Sequence, residues 1–170
     1  DSWDATASEK AVRLLGRRRN GAGERFATDA ATLAQQIIDQ LTTLGINRIA
    51  VFYQDDAFGK AGLGGVEAAL ARRNLKVLAT GVYDKTKNDV SEAVKAIGGA
   101  DPQAVVMIST YKPTATFVRQ MRAAGRTPQF FALSVVGLKA LKAEVGAEAA
   151  GIAISQVVPF PENSMTPVVR

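Results

Sequence analysis

The sequence predicts an α/β fold: a three-layer, doubly wound, mainly parallel sheet of about five strands. Short apolar runs alternate strictly with segments whose apolar residues recur every three or four positions. The links between them are short, as right-handed βαβ crossovers require. Residues 104–109, AVVMIS, form an unbroken apolar run, the mark of a central parallel strand covered on both faces.

In chain order, residues 1–25 stand apart as an unassigned segment, with the sole tryptophan at Trp3 and a solvated connector over 17–23. A single folded unit is expected over 26–161, followed by a connector over 162–170. Its first helix places Leu33, Ile37, Ile38, Leu41 and Leu44 on one face, with Thr28 or Asp29 as N-cap and Gly45 past the end. Strand one is expected over 48–53, and the next helix, over 58–73, buries Leu63, Val66, Ala69 and Leu70. Strand two is expected over 76–83. Asn88 or Asp89 caps a helix that buries Val90, Ala93, Val94 and Ile97 and stops at Gly98-Gly99.

After strand three, Pro113 falls where a first-turn proline is tolerated. The helix around it buries Phe117, Val118, Met121 and Ala124 and ends at Gly125. Strand four is expected over 129–133, a short helix over 138–145 and strand five over 152–158. The prolines at 159, 161 and 167 then break regular structure. No strand precedes the first helix, so the chain reads as a lobe cut from a longer protein.

Composition excludes several chemistries. The 170 residues are 47% hydrophobic and 22% charged, ordinary for a globular domain with a full core. With no cysteine and no histidine, the chain offers neither a disulfide, a thiolate metal site, nor a histidine-based triad. The net charge is +5, but the only dense basic run, Arg17-Arg18-Arg19, lacks interleaved aromatics for stacking bases, so no nucleic-acid partner is expected. No apolar stretch approaches the ~20 residues of a spanning helix. Residues 1–25 contain no apolar run like that of a secretory leader.

Parallel sheets bind ligands beyond the carboxyl ends of their strands. Four loops qualify: Gln54-Asp55-Asp56-Ala57-Phe58, Asp84-Lys85-Thr86-Lys87, Thr110-Tyr111-Lys112 and Ser134-Val135-Val136. Their two aromatic faces, hydroxyls and mixed charges suit a small polar or amphipathic molecule. Asp55 and Asp56, with Asp84, suggest a metal-assisted phosphotransfer site, or simply turn residues at a helix N-terminus. The glycines at 59, 62, 64 and 65 match neither phosphate-loop spacing, and close packing of a helix on the sheet explains them more simply. Ser109 and Ser134 have no nucleophile-elbow context. No cofactor is implied.

The chain from about residue 28 to 161 resembles the second lobe of a type I periplasmic binding protein, of the branched-chain amino acid (Leu/Ile/Val) receptor family of ABC importers. The resemblance rests on LGINRIAVFYQDDAFGKAGLGGVEAAL (44–70), DPQAVVMISTYKPTATFVRQMRAAG (101–125), PQFFALSVVG (128–137) and GIAISQVVPFP (151–161). It implies a non-enzymatic periplasmic solute receptor whose missing first lobe closes on the ligand and which docks on an ABC permease. By position, Phe58 and Tyr111 would wall the ligand, Ser134 would hydrogen-bond it, and Gln54 and Asp55 would sit at the rim. Ser134 stands where the family carries an acidic residue for an ammonium group. That departure favours an aromatic or aliphatic carboxylate, or another amphipathic solute, as much as an amino acid. Two alternatives remain: a flavodoxin-like phosphotransfer or nucleotide-binding enzyme domain, and the sensing lobe of a signalling receptor.

Overall fold

The computed structural model describes residues 26–87, 89–133, 141, 143–144, 146 and 151–155. The described elements are α1 (Phe26–Thr43), β1 (Ile49–Gln54), α2 (Ala57–Ala71), β2 (Thr80–Tyr83), α3 (Ser91–Ala100), β3 (Ala104–Ile108), α4 (Tyr111–Ala123), β4 (Gln129–Ala132) and β5 (Ile152–Ile154). All five strands are parallel, in the order β2-β1-β3-β4-β5. The expected fold class is the observed one.

Two apolar cores sandwich the sheet. Alternate residues of each strand point to opposite faces, so Ile49 and Val51 join one core while Ala50 and Phe52 join the other. The first core is covered by α1 and α2 through Ile37, Ile38, Leu41, Val66 and Leu70. The second is covered by α3 and α4 through Ala93, Ile97, Phe117, Val118 and Met121. Within it Phe52 stacks on Phe117 at 4.2 Å, and Phe117 meets Phe130 edge-on at 6.4 Å. Each such ring pair adds about 0.5–1.5 kcal/mol beyond its buried area. Every residue of β3 is buried, as its unbroken apolar run requires.

Helix ends follow the sequence with instructive exceptions. Gly45 and Gly125 adopt left-handed φ of 79° and 70°, letting Ile46 and Arg126 donate back to Leu41 and Met121 and close α1 and α4. Helix α1 already includes Thr28 and Asp29, so neither is its cap. Gly98-Gly99 does not stop α3, which continues to Ala100 and ends at Asp101 in the left-handed region. Gly98 is buried beside Met121 of α4, where an added Cβ would make ordinary contacts of 3.7 Å with Met121 and Arg126. The N-cap position of α3 is Val90, which makes no side-chain cap. Asp89, one residue earlier and therefore not the cap, accepts from the Ser91 amide at 3.0 Å, and Asn88 lies outside the described residues.

Strand two is shorter than its apolar pattern. Leu78 donates to Ile49 and Val51 donates to Ala79, so the chain already runs beside β1 there. However, Leu75 and Val77 pack with the α1/α2 core, whereas Ala79 and Tyr83 pack with the α3/α4 core. Residues of equal parity on one regular strand would share a face, so the segment turns over near Leu78 and β2 begins only at Thr80. The helix expected over 138–145 falls largely outside the described residues, as do residues 156–158 of the expected fifth strand.

Candidate functional site

The strand order has its switch point between β1 and β3. The connection leaving β1 crosses one face through α2 to β2; the connection leaving β3 crosses the other face through α4 to β4. The two loops diverge and leave a crevice at the carboxyl ends of β1 and β3. Register makes those ends level: Gln54 pairs with Tyr83 and Tyr53 with Ile108, so Ser109 follows in the same row.

On one side of the crevice is the 54–58 loop. Gln54 continues the inward alternation of Ala50 and Phe52 and is only 8% exposed. Its Oε1 accepts from the Tyr83 hydroxyl at 2.7 Å, and its Nε2 donates to Asp56 Oδ2. Asp56 is the N-cap of α2: its Oδ1 accepts from the Gly59 amide at 3.0 Å. Partial burial pushes the Asp56 carboxyl up, but the bond from Gly59, the Gln54 amide, the Lys85 charge 3.8 Å away and the Phe58 amide together hold it below its ordinary value. Asp55 points away, exposed and paired with Lys60 at 2.9 Å. That bond and the Asp55 charge raise the Lys60 ammonium above its usual range.

The glycines press α2 into place. A Cβ on Gly59 would lie 1.9 Å from the Gln54 carbonyl oxygen, and one on Gly62 would lie 2.8 Å from the Ile108 side chain. A Cβ on Gly65 would meet the Ala31 carbonyl of α1 at 2.5 Å. Gly64, by contrast, faces open space. Phe58 is half-buried against the α1/α2 core.

On the other side, Thr110 is the N-cap residue of α4 and Tyr111 its first residue. Tyr111 is 36% exposed, among the few large apolar side chains left open to solvent. Ser109 is buried with its hydroxyl 2.6 Å from that of Thr114, which donates to the Thr110 carbonyl at 2.7 Å. The Thr110 amide reaches the Tyr83 hydroxyl at 3.4 Å. Burial pushes the Tyr83 phenol up, against the lowering hydrogen bonds from Thr110, so it keeps its proton.

The fold therefore sets the loops that carry Phe58 and Tyr111 at the two sides of the crevice, with Phe58 packed on the α1/α2 core and Tyr111 open to solvent. It places Gln54 beneath the first loop and turns Asp55 outward. Ser134 lies outside the described residues. Sequence reasoning passed over Tyr83; its signal was a hydroxyl at the inward end of an alternating strand, where a buried phenol requires a partner.

Among the described residues no group of three or more His, Cys, Asp or Glu is placed to hold a metal ion. A concavity of about 240 Å³ lies at the opposite, amino-terminal end of the strands, between Asp101, Gln103, Arg126 and Pro128. It is an open corner, and Asp101 pairs there with Arg126 at 3.1 Å and Arg48 at 3.9 Å. The crevice, not this corner, has the topology of a ligand site.

A five-stranded parallel sheet in this order, with a crevice at its switch point, is a doubly wound α/β fold. The chain belongs to the type I periplasmic binding proteins: the family model described as periplasmic binding protein matches residues 16–170. A substrate-binding periplasmic protein from Ralstonia solanacearum is 36% identical, with a TM-score of 0.74 over 80% of this chain and 39% of that one. A possible leucine/isoleucine/valine-binding protein from Rhodopirellula baltica is 30% identical, with a TM-score of 0.73 over 94% of this chain and 44% of that one. A putative branched-chain amino acid ABC transporter protein from Rhodospirillum rubrum, 17% identical, shares the fold at a TM-score of 0.72 over 82% of this chain and 40% of that one. No curated protein matches the chain. The chain spans about two fifths of the length of these solved structures.

Proposed function

We propose that this chain is the second lobe of a periplasmic solute receptor serving an ABC importer, and that it is not an enzyme. The solute is small and amphipathic: an amino acid or an aromatic or aliphatic carboxylate, held between this lobe and a first lobe. Phe58 and Tyr111 form its apolar walls and Ser134 hydrogen-bonds it, with Asp55 and the backbone around Gln54 at the rim. The docking partner is the importer's permease.

The observation that carries this reading is Tyr111, an aromatic left solvent-exposed at the switch-point crevice of a family whose members bind solutes. An exposed aromatic beside a polar loop suits a ligand that is apolar on one side and polar on the other. The phosphotransfer alternative has less support. Asp56 is engaged as a helix cap and Asp55 as an ion pair, while the Gly59 amide already donates to Asp56. That amide is turned to the Asp56 carboxylate rather than left open to a phosphate.

The test is Tyr111→Ala in the full-length protein, titrated calorimetrically with leucine and with benzoate. Loss of one aromatic wall is expected to weaken the tighter solute by about tenfold or more while the thermal transition stays in place. Unchanged affinity for a solute that the parent protein binds would remove Tyr111 from the site.

A further inference from the structure

We infer that the Tyr83 hydroxyl is a positioning group that couples the two walls of the crevice; the inference rests on the receptor reading for its effect on solute, not for the coupling itself. The hydroxyl contacts both loops at once. It donates to Gln54 Oε1 at 2.7 Å and accepts from the Thr110 amide at 3.4 Å. Gln54 passes the constraint on through Nε2 to Asp56, and Asp56 holds the Gly59 amide at 3.0 Å. The relay runs from the N-cap residue of α4 to the first turn of α2, and these two helices lie on opposite faces of the sheet.

Nothing else about Tyr83 needs the oxygen. Its ring is 2% exposed and stacks on Phe52 at 5.1 Å, work that phenylalanine does equally well. A buried hydroxyl is retained without cost only when its partners are fixed. Here the partners are the loop leading to Phe58 and the loop leading to Tyr111. Both aromatics consequently keep one separation in the open receptor, and the solute meets a preformed wall rather than two independent loops.

Tyr83→Phe in the full-length protein tests this, because the ring and therefore the fold are retained. Backbone amide exchange is read at Gly59, at Thr110 and at the core amide of Val106, together with calorimetry using leucine and benzoate. Coupling predicts faster exchange at Gly59 as well as Thr110, Val106 unchanged, and affinity about tenfold weaker for whichever probe the parent binds. A second variant, Gln54→Met, breaks the relay from the other end and is expected to speed exchange at Thr110. Gly59 unchanged in Tyr83→Phe overturns the coupling, as does exchange rising equally at Val106, the mark of a merely structural loss. Selective exchange with unchanged affinity overturns the positioning role. If the parent binds neither probe, the proposed solute classes fail, while the Gly59 exchange still decides the coupling.

Discussion

Asp56 caps a helix, receives the Gln54 amide and lies near Lys85, and each contact favours its charged form. Its folded pKa lies below the ordinary 3.8, so its stabilisation is present above about pH 4 and is lost as pH falls through the folded value. Urea unfolding between pH 3 and 6 is expected to show stability falling at the acid end. Asp56→Asn keeps a cap acceptor but no titrating charge, so its profile is flatter over the same range. Asp56→Ala loses the cap and costs about 1 kcal/mol at pH 6. An Asn variant with the parent's slope would assign the pH dependence to other carboxylates, of which Asp84 and Asp89 are also held low by hydrogen bonds to Thr86 and Ser91.

At the scale of elements, α2 separates two uses of glycine. Gly59→Ala would drive a Cβ into the Gln54 carbonyl of β1, a backbone atom that cannot swing aside. Overpacking of this kind costs about 1–3 kcal/mol and displaces the loop that bears Phe58. Gly64→Ala meets nothing within 4 Å and lies mid-helix, so it is expected to stabilise by about 0.5–1 kcal/mol. Denaturant midpoints of the two variants moving in opposite directions is the outcome to look for. The glycine cluster was legible in the sequence as close packing rather than a phosphate cradle. Which glycine meets the sheet, which meets α1 and which meets solvent was not, because that depends on the angle at which α2 crosses its neighbours. The same limit applies to Gly98-Gly99: the pair reads as a helix stop in the sequence, and only the structure shows α3 running through both to Ala100.

At the scale of the whole molecule, the proposed receptor reading makes solute burial depend on closure of this crevice against a second lobe. Saturating the full-length protein with its tighter solute is expected to reduce its radius of gyration in solution scattering; an unchanged radius would argue for a preclosed or single-lobed receptor. The Tyr83 relay makes this lobe the rigid jaw. Its two loops share hydrogen bonds through Tyr83 at the end of β2, so the motion is expected at the connections between lobes rather than within this one.

The sequence by itself determined the layer order, the parallel sheet and the identity of most core residues, because hydrophobic periodicity and strand-helix alternation are local properties of the chain. It also brought Phe58 and Tyr111 forward, since both follow directly on apolar strands. Only the tertiary structure decided that their loops flank one crevice, because strand order is set by which crossovers pack, and no local pattern records it. Only the structure turned Gln54 inward and Asp55 outward, where sequence placed both at the rim. The tie at Tyr83 likewise spans 29 residues to Gln54 and 27 to Thr110. Hydrogen bonds over such separations exist only once the sheet has brought its strand ends level.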